Sequence, residues 1–198
     1  MIILVARSFD RTVLMLILNP SFLKIGYVIL VSTRKPAIVQ LQRKAGYGES
    51  SKWTHVAGSL GGYDTVEANV PRSRVINLQK EYVDKGCEIK VMRRKGQEAH
   101  KRYKVALWWA TMNNLPYDAL QFFWFSLSIV CGKIGIVFHN LFSSHMRFLC
   151  SELIATGFYK EGDYCFGKPV ENVLPADFDN SVLFEEIEDI GLNSRRDK

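Results

Sequence analysis

Two side chains far apart in the sequence have the chemistry of a nucleophile and its base. Cys150 stands near the start of FLCSELIATGFYKEG, whose apolar residues recur at helical spacing before Gly162, so it lies at the N-terminus of a predicted helix. The N–H groups and partial positive charge at a helix N-terminus favour a thiolate and can hold an oxyanion. His55, in the strand-like run WTHVAGS, is the candidate base.

Neither residue is specific by itself, because most cysteines are small buried core residues and most strand histidines are structural. A third residue strengthens the pair. Glu67 lies in the next strand-like run, YDTVEANV, and Gly61-Gly62 between the two runs predicts a hairpin. A carboxylate bonded to the imidazole would fix its tautomer and stabilise its charged form.

The length of the hairpin loop decides whether this third residue can reach the base. A strict Gly61-Gly62 turn would place His55 opposite Ala68 and turn Glu67 to the other face. A three-residue loop that ends at Gly62 would place His55 directly opposite Glu67, and glycine suits the left-handed conformation that ends such loops. The sequence therefore permits a cross-strand His–Glu pair without requiring it.

Other chemistries have weaker signals. None of the four cysteines forms a C-x-x-C pair, and His139 and His145 match no common zinc spacing, so we expect neither a metal nor another cofactor. The chain is too long for a disulfide scaffold, which favours free thiols. Gly46-x-Gly48 fits no phosphate-binding fingerprint.

The net charge of +6 favours anionic partners, although a small basic excess also serves solubility alone. The most basic part of the chain, residues 93–104, is typical of a solvated helix face, and we expect no nucleic-acid partner. The apolar residues 122–138 predict a buried helix and strand, or else a segment that contacts a membrane surface or covers an apolar pocket. The first residues do not form a conventional signal peptide, which leaves the location unknown and export by a specialised route open.

The remaining patterns predict one α+β domain over the 198 residues. Its core covers about residues 25–185, after an N-terminal extension over 1–24 and before a frayed tail over 192–198. Strands are predicted at 25–32, 53–59, 63–70 and 87–93, and helices at 36–44, 97–112 and from 148 to 162.

Five short motifs occur in an order that resembles the circularly permuted, papain-like enzymes of the NlpC superfamily, typified by YiiX-like proteins. They are WTHVA at 53–57, TVEA at 65–68, LPYD at 115–118, FLCSEL at 148–153 and LPADF at 174–178. In this permuted branch the histidine and the polar third residue precede the cysteine. The resemblance covers most of the chain and implies an antiparallel sheet packed against a helix that carries the nucleophile.

Carried over by position, the resemblance implies Cys150 as the nucleophile, His55 as the base and Glu67 as the orienting residue. Tyr27, Trp53 and Tyr117 become candidate substrate-binding residues. Tyr27 stands where the family usually has aspartate, so this position lacks the carboxylate for a substrate-amine contact. The apolar stretch at 121–142 is also longer than the family pattern implies.

The leading hypothesis is a cysteine amidase or endopeptidase acting on peptidoglycan peptides. Export without a conventional signal would suit an antibacterial effector or toxin, whose partner would be an inhibitor or immunity protein. The first alternative is a lipid-directed thiol hydrolase or acyltransferase, as in the distantly similar lecithin:retinol acyltransferase branch, for which residues 122–138 would line an acyl site. The second is a binding module without catalysis, against which an intact Cys–His–Glu set counts.

Overall fold

The computed structural model describes residues 15–17, 19–33, 35–117, 149–187 and 193–195. The described strands are β1 Met15–Ile17, β2 Val28–Ser32, β3 His55–Gly61, β4 Asp64–Ala68, β5 Ser73–Asn77, β6 Glu88–Arg94, β7 Phe184–Glu186 and β8 Asn193–Arg195. The helices are α1 Pro36–Lys44, α2 Ala99–Thr111, α3 Cys150–Lys160 and α4 Pro175–Asn180. Short 3-10 turns lie at Pro20–Phe22, Gly48–Lys52 and Val170–Asn172, and a π-helical turn lies at Gln79–Val83.

Six strands form one antiparallel sheet in the order β5-β4-β3-β2-β6-β7. The mixed α+β class predicted from the sequence is therefore confirmed. Strand β2 lies inside this sheet, paired with β3 on one side and β6 on the other. Its continuous apolar run follows from that position, since both faces of the sheet are covered.

The alternating side chains of β2 contribute to two separate cores. Val28 and Leu30 pack into a first core together with side chains of α2 and α3, whereas Ile29 and Val31 pack into a second core. All four side chains have no exposed surface. A strand buried on both faces is expected to read as a run of Val, Ile and Leu without polar alternation.

Helix α3 packs on the face of the sheet that contributes to the first core, and it is in close contact with α2. Gly157 makes this contact possible, because a Cβ atom there would lie 2.1 Å from Nε1 of Trp109. Trp109 is fully buried, and its indole N–H donates to the carbonyl of Ile154 at 3.2 Å. The same indole ring also packs against the backbone of Gly58 on β3, so it ties α3 to the sheet.

The structure differs from the sequence-based predictions in several elements. Strand β5, the π-helical turn at Gln79–Val83 and the 3-10 turn at Gly48–Lys52 were not predicted. Residues 193–195, assigned to a frayed tail, form β8 instead and pair with β1 from the N-terminal extension. Each of these two segments supplies the backbone hydrogen-bond partners of the other, and no local pattern reveals so distant a pairing.

Candidate functional site

Cys150 is the first residue of α3 and is only 9% exposed. Two contacts fix this end of the helix. The Glu152 carboxylate accepts a hydrogen bond from the Leu149 N–H at 3.2 Å, and the Ser151 hydroxyl donates to the Val173 carbonyl at 2.5 Å. The motif LCSE thus caps its own helix and anchors it.

The thiol of Cys150 receives backbone hydrogen bonds from Ser151 and from Val56 on β3. The residue pairs between β3 and β4 extend from Gly61–Asp64 to Gly58–Val66. Val56 therefore lies beyond the last of these pairs. The amide of Val56 is therefore available to the sulfur at the place where the two strands part. These two donors stabilise a negative charge on sulfur.

His55 connects the thiol to a buried carboxylate. Its Nε2 lies 2.8 Å from Oε2 of Glu67, and its ring also forms a hydrogen bond with Cys150. Because Nε2 is engaged by Glu67, Nδ1 is the ring nitrogen left for the sulfur. His55 is 4% exposed and Glu67 is fully buried, so the structure brings the three predicted catalytic residues into one hydrogen-bonded chain.

The hairpin reaches this arrangement by a register that neither sequence alternative described. Gly58 pairs with Val66 and Ser59 with Thr65, the register shifts by one residue at Leu60, and Gly62 and Tyr63 form the turn. Continued along β4, this register sets Glu67 opposite Ala57. Ala57 is two residues from His55 and on the same strand face, so Glu67 meets His55 diagonally and not directly across.

Two residues that the sequence did not single out hold the carboxylate of Glu67. The Tyr82 hydroxyl donates to Oε2 at 2.5 Å, and Nε of Arg74 donates to Oε1 at 2.9 Å. Arg74 lies directly opposite Glu67 on β5. Pro71 marks a turn after β4. This proline was the one local signal that a further strand follows, and with it the pairing of the opposite charges of Glu67 and Arg74. Tyr82 lies on the π-helical turn, which no local sequence pattern predicts.

The surroundings shift the three pKa values in a mutually consistent way. Burial alone would lower the pKa of His55, but the Cys150 thiolate and the Glu67 carboxylate raise it to about 10. Burial alone would raise the pKa of Glu67, yet its hydrogen bonds to His55, Tyr82 and Arg74 lower it to about 2. Burial likewise opposes ionisation of Cys150, but the His55 imidazolium lowers its pKa below the usual value. The favoured state is a thiolate–imidazolium pair.

The structure places the three candidate substrate-binding residues differently. Tyr27 is buried in the second core, and its hydroxyl contacts Arg93. The backbone carbonyl of Tyr27 accepts a hydrogen bond from the Ser59 N–H. Ser59 lies four residues along β3 from His55, which is about 13 Å in a strand. Tyr27 is therefore not part of the site, because it lies too far along the sheet from His55.

Trp53 is 2% exposed, and its indole N–H donates to Asp179 at 3.0 Å. Its ring is in the first core, so it supports the start of β3 and offers no free group to a substrate. Tyr117 is half-buried and packs against the same core, and its N–H donates to the Pro71 carbonyl at 3.0 Å. Of the three predicted substrate contacts, Tyr117 alone lies at the edge of the core that includes Cys150.

Several predictions concern residues outside the described part of the chain: the apolar segment 122–138, Cys131, His139 and His145. Within the described ranges, Cys150 and Cys165 are free thiols. No group of three potential metal ligands occurs among the residues that the structure describes. No helix within that part of the chain is long and apolar enough to span a membrane.

Comparison with known proteins adds no relative from which a role could be transferred: no family model matches the chain, and no curated protein matches it significantly.

Proposed function

We propose that this protein is a cysteine hydrolase that cleaves amide bonds, with Cys150 as nucleophile, His55 as acid and base, and Glu67 as orienting residue. The observation that carries the proposal is the buried hydrogen-bonded chain from the thiol through the imidazole to the carboxylate. Such a chain activates a thiol in any nucleophile–base–orienter set.

The proposed reaction begins with attack of the Cys150 sulfur on the substrate carbonyl carbon. A C–S bond forms, and the carbonyl electron pair moves onto oxygen, where N–H groups at the start of α3 stabilise the negative charge. As the tetrahedral intermediate collapses, the C–N bond breaks and the proton on His55 passes to the leaving amine.

Water then completes the cycle. His55, now neutral, removes a proton from a water molecule as its oxygen attacks the thioester carbon. The C–S bond breaks, the carboxylic acid product leaves, and Cys150 returns to thiolate beside a reprotonated His55. Throughout, Glu67 holds Nε2 of His55 at 2.8 Å, so that Nδ1 keeps its direction toward the sulfur.

We also propose that the fold is a circularly permuted, papain-like fold of the NlpC superfamily. The order of the three residues along the chain supports this, because His55 and Glu67 precede Cys150. Further support comes from an antiparallel sheet that packs against the helix on which Cys150 lies.

Peptidoglycan stem peptides are the proposed substrate class, on the basis of the resemblance and of a net charge of +6 that suits an anionic wall polymer. An exported antibacterial role with an immunity partner would follow from that substrate. The alternative, thiol-dependent hydrolysis or acyl transfer on lipids, uses the same three residues, and the apolar sequence at 122–138 favours it.

Product analysis separates these functions. The protein is incubated with purified peptidoglycan and, separately, with phospholipid vesicles, and soluble products are identified by mass spectrometry. The proposal predicts new peptide termini from peptidoglycan that disappear in Cys150→Ala and persist in Cys165→Ala. Fatty acid or acyl-transfer products would favour the lipid alternative, and no Cys150-dependent product from either substrate would favour a binding module.

A further inference from the structure

Every hydrogen-bond partner of the Glu67 carboxylate is a donor once His55 is charged. Oε2 accepts from Nε2 of His55 at 2.8 Å and from the Tyr82 hydroxyl at 2.5 Å. Oε1 accepts from Nε of Arg74 at 2.9 Å and more weakly from the Asn69 amide at 3.4 Å. Each oxygen of this fully buried carboxylate is thus used by the protein, and no part of it depends on solvent.

Tyr82 and Arg74 are themselves fixed. The Tyr82 ring lies beside the His55 ring, with centroids 5.8 Å apart and planes inclined by 38°, so Tyr82 confines both members of the His–Glu pair. Arg74 uses Nη2 to bind Glu81 at 2.8 Å while it bonds to Glu67. This second carboxylate orients the guanidinium from the solvent side.

We infer that Arg74 and Tyr82 are positioning residues that require a carboxylate at position 67 and, through it, hold His55 in the orientation that ionises Cys150. The inference rests on the proposed function and adds to it the reason why this site has glutamate as its third member. It assigns no contact with substrate to either residue.

An amide at position 67 shows why the requirement is strict. Glutamine has one acceptor oxygen and one donor NH2 group. With the NH2 toward Arg74, donors face donors, since a guanidinium has no acceptor. With the NH2 toward His55, the ring must present a bare Nε2, which is incompatible with the imidazolium that pairs with the thiolate. Either orientation leaves a buried donor unpaired, which is costly.

The charged and titratable groups around this carboxylate come from every element packed against it. They are His55 on β3, Arg74 on β5, Glu81 and Tyr82 on the π-helical turn, and, through His55, Cys150 on α3. Without the Tyr82 hydroxyl or the Arg74 guanidinium, one oxygen of the Glu67 carboxylate is no longer fixed in place, so the carboxylate holds the imidazolium less firmly beside Cys150. We therefore expect the Cys150 thiolate to form at higher pH in either variant.

Thiolate absorbance at 240 nm across a pH titration measures this effect without any substrate. Each protein is compared with its own Cys150→Ala counterpart, so that only Cys150 contributes to the difference. Tyr82→Phe and Arg74→Gln should each raise the midpoint of thiolate formation by about one pH unit, the size expected for one hydrogen bond to a charged group. Midpoints equal to that of the wild type would overturn the inference.

The chain offers a matched control for each variant. Tyr47 also donates to a carboxylate, that of Asp177 at 2.6 Å, and Arg94 makes two hydrogen bonds to Asp163. Neither pair touches the His55–Glu67 chain, so Tyr47→Phe and Arg94→Gln should leave the midpoint unchanged. Equal shifts in the controls and in the test variants would contradict a positioning role.

A double variant tests the donor argument itself. Glu67→Gln should raise the thiolate midpoint strongly, whereas Glu67→Gln combined with Arg74→Gln should recover part of the loss, because the amide introduced at position 74 can accept from the new NH2. No recovery would count against the inference. If the thiolate midpoints shift but no substrate is hydrolysed, the proposed function alone is contradicted. If hydrolysis is intact but the midpoints are unchanged, the positioning role alone is contradicted.

Discussion

Cys150 and Cys165 are both buried thiols, yet their neighbours change the pKa in opposite directions. Burial and the nearby carboxylate of Asp163 raise the pKa of Cys165 to about 12. Burial also opposes ionisation of Cys150, but the imidazolium of His55 and two backbone N–H groups outweigh it and lower the pKa. Arg94 also acts to lower the pKa of Cys165, but burial and Asp163 outweigh it. The balance of the neighbouring charges, and not burial, therefore distinguishes the candidate nucleophile from the other buried thiol.

The pKa of His55 should depend directly on Cys150. Although burial would lower this pKa, the thiolate and the Glu67 carboxylate raise it to about 10. Cys150→Ala removes the thiolate and leaves the carboxylate in place, so the pKa of His55 should fall by about one unit or more. The measurement is the NMR titration of the His55 ring in both proteins. Cys165→Ala is the control, and an identical His55 titration in wild type and Cys150→Ala would contradict the ion pair.

At the scale of elements, the site depends on where α3 begins and on how closely it packs. Leu149 and Ser151 fix the start of the helix through hydrogen bonds. Gly157, two turns later, allows contact with Trp109 on α2. Since Cys150 must reach both His55 and the amide of Val56, a displacement of this helix would separate the thiol from its partners.

Gly157→Ala should destabilise the protein and weaken the thiolate together. The new Cβ would lie 2.1 Å from Trp109 Nε1, so the helix or the indole must move. We expect a loss of about 1–3 kcal/mol in the free energy of unfolding, measured by urea denaturation, and a lower rate of Cys150 alkylation. Gly167→Ala is the matched control because nothing lies within 4 Å of its added Cβ. Equal stability of the two variants would show that α3 does not need this close contact.

Local signals in the sequence account for some elements of the site and not for others. Pro36 at the start of α1 and Gly162 after α3 mark ends that the structure retains. The register of the hairpin escaped prediction because the turn lies at Gly62 and Tyr63 and the pairing shifts by one residue at Leu60. That shift brings Glu67 onto the strand face of His55. Tyr82 could not be predicted, since only the tertiary fold brings it to Glu67.

At the scale of the whole molecule, the site joins the two faces of the sheet. Cys150 belongs to the first core, whereas Tyr82 belongs to the second. His55 connects them from the first position of β3, where this strand has parted from β4. The catalytic pair and the support for Glu67 thus come from opposite layers, so the site forms only when both layers are packed against the sheet.

This placement makes the stability of the fold depend on the charge of Glu67. Its pKa, lowered to about 2 by its hydrogen bonds despite burial, lies below the unfolded value, so its contribution is present above about pH 4.5 and is lost as the pH falls through about 2. The shift corresponds to about 3 kcal/mol. Urea unfolding between pH 6 and pH 2 should show a shallower pH dependence in Glu67→Gln than in wild type. Parallel curves for the two proteins would contradict this linkage.

The most direct test of the account is the pH dependence of Cys150 alkylation by iodoacetamide, followed for each cysteine by mass spectrometry. A Cys150 thiolate paired with His55 predicts rapid alkylation at neutral pH, with a midpoint well below the usual thiol value of about 8.5. His55→Ala should move that midpoint above the usual value, because burial then outweighs the two backbone N–H groups, and Cys165 should react slowly in both proteins. An ordinary midpoint for Cys150 that is unchanged in His55→Ala would contradict the central claim.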